Sequence, residues 1–139
     1  MVVVAIIGVL ALLGLRLYTG QQEKAKNAIV KANCGTIQTL IQAELADNSL
    51  SDVWADVETA GAAGLFGRSG IHNPLGGAQT DNIVTGAATR PTASTANDGE
   101  VYVMLDNATI ANATHFVVNG IATNATDNVV FDTDLTARR

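Results

Sequence analysis

The sequence predicts an α+β chain: one long N-terminal α-helix whose C-terminal half packs on a small antiparallel β-sheet head. Three observations predict it. The stretch Met1 to Leu15, MVVVAIIGVLALLGL, carries no charge and no strongly polar side chain. Beyond Arg16 the apolar residues Ala25, Ile29, Val30, Ile37, Leu40, Ile41 and Leu45 recur at helical spacing, with Gln21, Lys24, Lys31, Gln38 and Glu44 largely on other faces. In the C-terminal third, Val101, Val103 and Leu105 alternate with Tyr102 and Met104, the period-two pattern of a half-buried strand.

The first two patterns join into one helix from near Met1 to about Ala46, roughly 70 Å long at 1.5 Å per residue. Asp47-Asn48-Ser49 supplies its stop and the next cap. Helices of compact domains average about three turns, so half of this one must protrude. Ser49 to Ala60 reads as a short second helix, capped by Ser49 or Ser51, with Asp52 in the first turn and Val53, Trp54 and Val57 on one side. Gly61 to Gly99 holds most of the glycines and both prolines, Pro74 and Pro91, and reads as a turn-rich loop with a brief strand at Asn82 to Thr85. A hairpin is expected from His115–Val118 to Ile121–Thr123 across Asn119-Gly120, a dipeptide suited to a type I′ turn, with a last strand at Val129 to Asp132. The expected division is a protruding apolar half-helix over 1–20 and a head over 21–139. The head comprises the amphipathic half-helix 21–47, the loop region 61–99 and the sheet 100–132.

The chain has 139 residues, enough for one domain with a modest core. A formal net charge of -5 argues against a dedicated nucleic-acid surface, which needs clustered Lys and Arg. The charges are segregated. Arg16, Lys24, Lys26 and Lys31 outnumber Glu23 in the early helix, while Asp98, Glu100, Asp106, Asp127, Asp132 and Asp134 dominate the C-terminal part. A basic neck under an acidic head suits subunit packing or anionic lipid headgroups, or is simply two solvated faces. The single cysteine, Cys34, excludes an intrachain disulfide.

The apolar run spans only about 22 Å, short of the roughly 30 Å hydrocarbon core that takes about 20 residues. A signal-peptide core would want basic residues ahead of it and a small-x-small cleavage site after it, whereas Leu-Arg-Leu-Tyr-Thr-Gly follows. A buried soluble helix that is apolar on every face would need a larger enclosing protein. What fits is a membrane or filament-core helix whose first residues precede this sequence.

MVVVAIIGVLALLG resembles the N-terminal helix of mature type IV pilins and their pseudopilin relatives, and Tyr18 falls where many pilins carry a tyrosine after the membrane segment. The likeness is specific over about 20 residues and architectural beyond them. It implies a cleaved leader and about six further apolar-rich residues ahead of Met1, which would complete a spanning segment. Three features depart from the family pattern. The family's N-terminal glutamate has no counterpart here, Arg16 stands where a proline is common, and Cys34 alone cannot form the frequent C-terminal disulfide. The resemblance also implies that Val2, Val3, Val4, Ile6, Ile7, Val9, Leu10, Leu12 and Leu13 pack in a filament core. Gly8 and Gly14 are local helix-weakeners, each costing about 1 kcal/mol relative to Ala.

No catalytic constellation emerges: there is no phosphate loop ending in Gly-Lys-Ser/Thr, no Cys-x-x-Cys and no His-Glu-x-x-His. Neither a cofactor nor a metal is expected. Gly61, Gly64, Gly67 and Gly70 read as loop flexibility, His72 and His115 as ordinary residues, and Asp127, Asp132 and Asp134 as solvated acids without the oxygen spacing of a calcium loop. Cys34 reads as a small buried hydrophobe, and Tyr18, Trp54, Phe66, Tyr102, Phe116 and Phe131 as core fillers and interface anchors. Asn107-Ala108-Thr109, Asn112-Ala113-Thr114 and Asn124-Ala125-Thr126 match the N-glycosylation acceptor, making Asn107, Asn112 and Asn124 candidate sites. The functional expectation is a structural subunit of an extracellular type IV pilus, held in the inner membrane before the pilus assembly machinery bundles identical copies. The alternatives are a secretion-system pseudopilin and a membrane-anchored binding domain that never polymerises.

Overall fold

A computed structural model describes residues 2–59, 63–75, 99–121 and 134–138. The chain forms the expected α+β, pilin-like arrangement: a long N-terminal helix laid by its C-terminal half across a three-stranded antiparallel sheet. Helix α1, Val2–Asp47, is unbroken for 46 residues, about 70 Å. It continues unbroken through Gly8, Gly14 and Gly20.

Val30, Cys34, Ile37, Ile41 and Leu45, spaced by three and four residues, form the buried ridge of α1, each 1% exposed or less. Leu40 is half-buried beside them, but Ala25 and Ile29, expected in the same stripe, are exposed. The head begins at Val30, so the stripe continues past the protein that covers it. Helix α2, Leu50–Glu58, starts as expected at Ser49, whose Oγ accepts the Asp52 amide at 3.3 Å and donates to the Asp52 carboxylate at 2.6 Å. The cap satisfies a free backbone donor and sets a negative charge at the positive helix end. Val53, Trp54 and Val57 bury, and Trp54 stacks on Phe116 with centroids 6.0 Å apart.

The region expected to be irregular holds a further helix, α3, Leu65–Ser69, which buries Leu65 and Phe66. Gly64 precedes it and Gly70, at φ 65°, ends it in the left-handed conformation. Gly64 and Gly70 thus bracket a helix instead of loosening a loop, Gly67 lies inside it, and Gly61 lies outside the described residues. Arg68 of α3 reaches Glu44 of α1 at 3.2 Å and also Asp56 of α2. Arg68 is half-exposed, so these pairs orient α3 more than they stabilise it.

The sheet consists of β1, Val101–Leu105, β2, Phe116–Gly120, and β3, Leu135–Ala137, in that spatial order. Val103 pairs with Val118, and Val118 with Leu135. Val101, Val103, Leu105, Phe116, Val118 and Ala137 face the helices in one core. On the other face Tyr102, Met104, Val117 and Ile121 form a second buried cluster. Thus β1 is buried on both faces, not half-buried as its alternation suggested: Tyr and Met carry enough apolar surface to be covered as well as exposed. Two side chains of α1 fasten the periphery: Gln38 Nε2 donates to the Thr136 carbonyl and Asn33 Nδ2 to the His72 carbonyl, each at 2.9 Å.

The hairpin expected across Asn119-Gly120 does not form. Both residues lie inside β2, paired with Tyr102 and Val101. The ladder continues beyond them, with the Ile121 amide donating to the Glu100 carbonyl and the Gly99 amide to the Ile121 carbonyl, both at 2.9 Å. Gly120 is needed for proximity, not for a turn: a Cβ there would lie 2.7 Å from Val30 Cγ1 and 2.9 Å from Cys34 Sγ. The third strand is Leu135–Ala137, beyond the expected limit of the sheet, while Asn82–Thr85 and Val129–Asp132 lie outside the described residues.

Gly120→Val should therefore lower head stability by about 1–3 kcal/mol, the usual overpacking cost. Thermal unfolding followed by circular dichroism checks this, and Cys34→Ala in the same chain should recover part of the loss by opening the contact.

Candidate functional site

The protruding half of α1 is the most unusual surface of the molecule. Three consecutive valines, Val2, Val3 and Val4, already cover most of the helix circumference, because successive residues are about 100° apart. Ile6, Ile7, Val9, Leu10, Leu12, Leu13, Leu15 and Leu17 continue the pattern around every side. These eleven aliphatic side chains are 53% to 74% exposed. An 18-residue window of α1 has mean hydropathy 2.3, and none of it is buried. By length and composition α1 can cross a membrane. All nine residues expected in a filament core lie in this exposed rod. Gly8 and Gly14 lie on it too, where an added Cβ would meet nothing within 4 Å. Tyr18, 66% exposed, stands at its head-proximal end.

The rod and the head share one continuous helix, since the helix that exposes Val2 to Leu17 is the helix that carries the core from Val30. The exposed Arg16 and Lys24 lie between the two, so the rod's charges are confined to its head-proximal end.

A second candidate lies in the ten residues that join β1 to β2. Asp106 organises this connection. Its Oδ1 accepts the Thr114 amide at 2.8 Å and the His115 amide at 3.3 Å, and its Oδ2 accepts the Thr114 hydroxyl at 2.6 Å. His115 Nδ1 lies 3.1 Å from Oδ2. The Thr114 hydroxyl is the main cause, helped by the two amides and by His115, of an Asp106 pKa lowered to about 2. Within the loop, Ile110–Asn112 forms a single 3₁₀ turn. Ile110 and Ala113 rest on the main core, and Asn107 and Asn112 are exposed. Asn124, the third candidate acceptor, lies outside the described residues.

Cys34 is buried, as expected of a small hydrophobe, and burial pushes its thiol up to about 12. Of the aromatics, Trp54, Phe66, Tyr102 and Phe116 fill the head and Phe131 lies outside the described residues. His72 and His115 engage different partners, the first through its carbonyl and the second through Asp106 and Thr114. Asp127 and Asp132 also lie outside the described residues, while Asp134 accepts a hydrogen bond from Asn119. Among the described residues no group of three His, Cys, Asp or Glu side chains converges. The Asp106 clamp was missed in the sequence because its partners are eight and nine residues away, with no fixed motif linking them.

No family model, no curated protein and no solved structure matches the chain. Its surfaces are thus read on their own chemistry.

Two outcomes follow from this geometry. Because the folded-state pKa of Asp106 is below the unfolded value, its stabilising contribution is complete above the ordinary carboxylate value near 3.8 and is lost as pH falls through about 2. Asp106→Asn should accordingly melt earlier than the parent at pH 7, with the difference vanishing near pH 2. Cys34, whose reactive thiolate is disfavoured, should resist maleimide labelling at pH 7.5 in the folded chain and label fully in denaturant.

Proposed function

We propose that the chain is the structural subunit of an extracellular helical filament of the type IV pilus kind. The apolar rod is held in the inner membrane before assembly and is then transferred by the assembly machinery into a bundle of identical rods. The observation that carries this reading is the exposed, all-round apolar half of α1, continuous in one helix with the half that a folded head already covers.

The energetics favour burial strongly. Covering one large aliphatic side chain is worth about 1.5–3 kcal/mol relative to water, so eleven of them represent on the order of 15–30 kcal/mol gross. Association costs roughly 4–15 kcal/mol in lost freedom. The surplus holds a filament together without covalent links. Lipid can supply the same burial before assembly, and the exchange of lipid for neighbouring rods then costs little. A rod apolar on all sides also suits a bundle better than a dimer, since a single partner would cover only one face.

A membrane-anchored domain that never polymerises is less well supported, because such an anchor needs no rigid link to its head. Here no polar linker interrupts the helix between Val2 and Asp47. A secretion-system pseudopilin would use the same surface in a shorter assembly, and no particular contact favours it.

Val9→Asp tests the proposal. Val9 is 60% exposed and touches nothing in the head, so the head should keep its fold and melting behaviour. A central charge in an apolar bundle costs about 2.5–3.5 kcal/mol even on the mildest insertion scale, repeated in every subunit. Electron microscopy of sheared native cells should find filaments built from the parent chain, none from Val9→Asp, and normal numbers from the control Val9→Leu. Normal filaments from Val9→Asp would contradict the proposal.

A further inference from the structure

Of the two acceptor triplets on the β1–β2 loop, the structure treats the asparagines differently. The Asn107 side-chain oxygen accepts the Thr109 amide at 3.2 Å and lies 3.4 Å from the Thr109 hydroxyl. The two groups an acceptor triplet needs, the amide and the hydroxyl two residues on, are thus already side by side at the surface. No described residue engages Asn107 Nδ2.

Asn112 is exposed as well, but its side chain is already committed. Its Nδ2 donates to the Thr109 hydroxyl at 3.0 Å, and its backbone amide donates to the Thr109 carbonyl at 3.0 Å. Its neighbour Ala113 is seated against the core, and the hydroxyl it would need, that of Thr114, is committed to Asp106. Presenting Asn112 together with the Thr114 hydroxyl means releasing Asn112 from Thr109 and Thr114 from Asp106.

The position of the loop matters as much. The Gly120 end of β2 lies against Val30 and Cys34, at the first buried turns of α1, whereas the Phe116 end is stacked by Trp54 of α2, the helix that follows α1. The loop leaves the sheet at the Phe116 end. A bulky polar group there stays clear of the apolar surface that assembly would bury.

We infer that, of the two acceptors among the described residues, Asn107 is the N-glycosylation site and Asn112 in the folded head is a poor one. The donor is a lipid-phosphate-linked oligosaccharide, used by a membrane transferase. Asn107 Nδ2 displaces the lipid phosphate at the sugar's anomeric carbon: the C–N bond forms, the C–O bond breaks, and the amide proton passes to a base of the transferase. No oxidation or reduction is involved. The Thr109 hydroxyl is a recognition group and does not react. The inference rests on the proposed function only in requiring that the head be exported.

Peptide mass mapping of the protein from its native cells, on filament and membrane fractions separately, tests the assignment. The peptide containing Asn107 should carry a glycan mass in most molecules, and Asn112 in a several-fold smaller share. Asn107→Gln and Thr109→Val should each remove the principal glycan, while Thr109→Ser, which keeps the hydroxyl, should retain it. Circular dichroism of all three should match the parent. Exported subunits bare at Asn107, or modified at Asn112 in preference to it, would overturn the assignment. Bare subunits in intact filaments would do so without touching the polymer reading, and glycosylated subunits found only as membrane monomers would have the reverse effect.

Discussion

Everything in this molecule follows from a helix that is far longer than the protein able to cover it. About a third of α1, from Val30 to Leu45, carries the buried ridge that lies against the sheet, and the apolar stretch from Val2 to Leu17 is exposed throughout. The uncovered part is not a solvated helix. Its side chains are large, aliphatic and distributed around the whole circumference, so neither water nor a single partner surface satisfies it.

The head is built to hold that helix firmly. Its ridge of Val30, Cys34, Ile37, Ile41 and Leu45 meets the face of all three strands, and Gly120 removes the one side chain that would keep β2 away from Val30 and Cys34. Asn33 and Gln38, still on α1, tie down a loop and the edge strand β3. Helices α2 and α3 then close the far end, with Trp54 on Phe116 and Arg68 reaching both other helices. Because one uninterrupted helix joins the two, fixing the rod constrains the orientation of the head. In the proposed filament, a subunit with this shape would place every head in a defined relation to the bundled rods, with the β1–β2 loop away from them.

Much of this was legible in the sequence, for identifiable reasons. The apolar run, the change to helical spacing after Arg16, the Ser49 cap with Asp52 and the alternation from Val101 to Leu105 are local signals with few competing readings. The failures arose where one residue type serves two purposes. Asn119-Gly120 is a good turn dipeptide, yet Gly120 is required by a helix distant in sequence, which only tertiary packing reveals. Gly64 and Gly70 looked like punctuation in a loop and in fact delimit α3, which has five residues and is too short to show periodicity. Strand β3, Leu-Thr-Ala, has no pattern of its own and is recruited by pairing with β2 and by Gln38. At the candidate sites, the rod was visible directly, whereas the difference between Asn107 and Asn112 depends on hydrogen bonds that the triplets themselves do not encode.

The central claim is that the rod must be buried by copies of itself once lipid is withdrawn. The direct measurement is analytical ultracentrifugation, with electron microscopy of the same sample, of the intact purified chain as detergent is removed. The account predicts that monomer disappears into elongated multi-subunit assemblies while the head's circular dichroism is unchanged. A stable monomeric solution without detergent would contradict it.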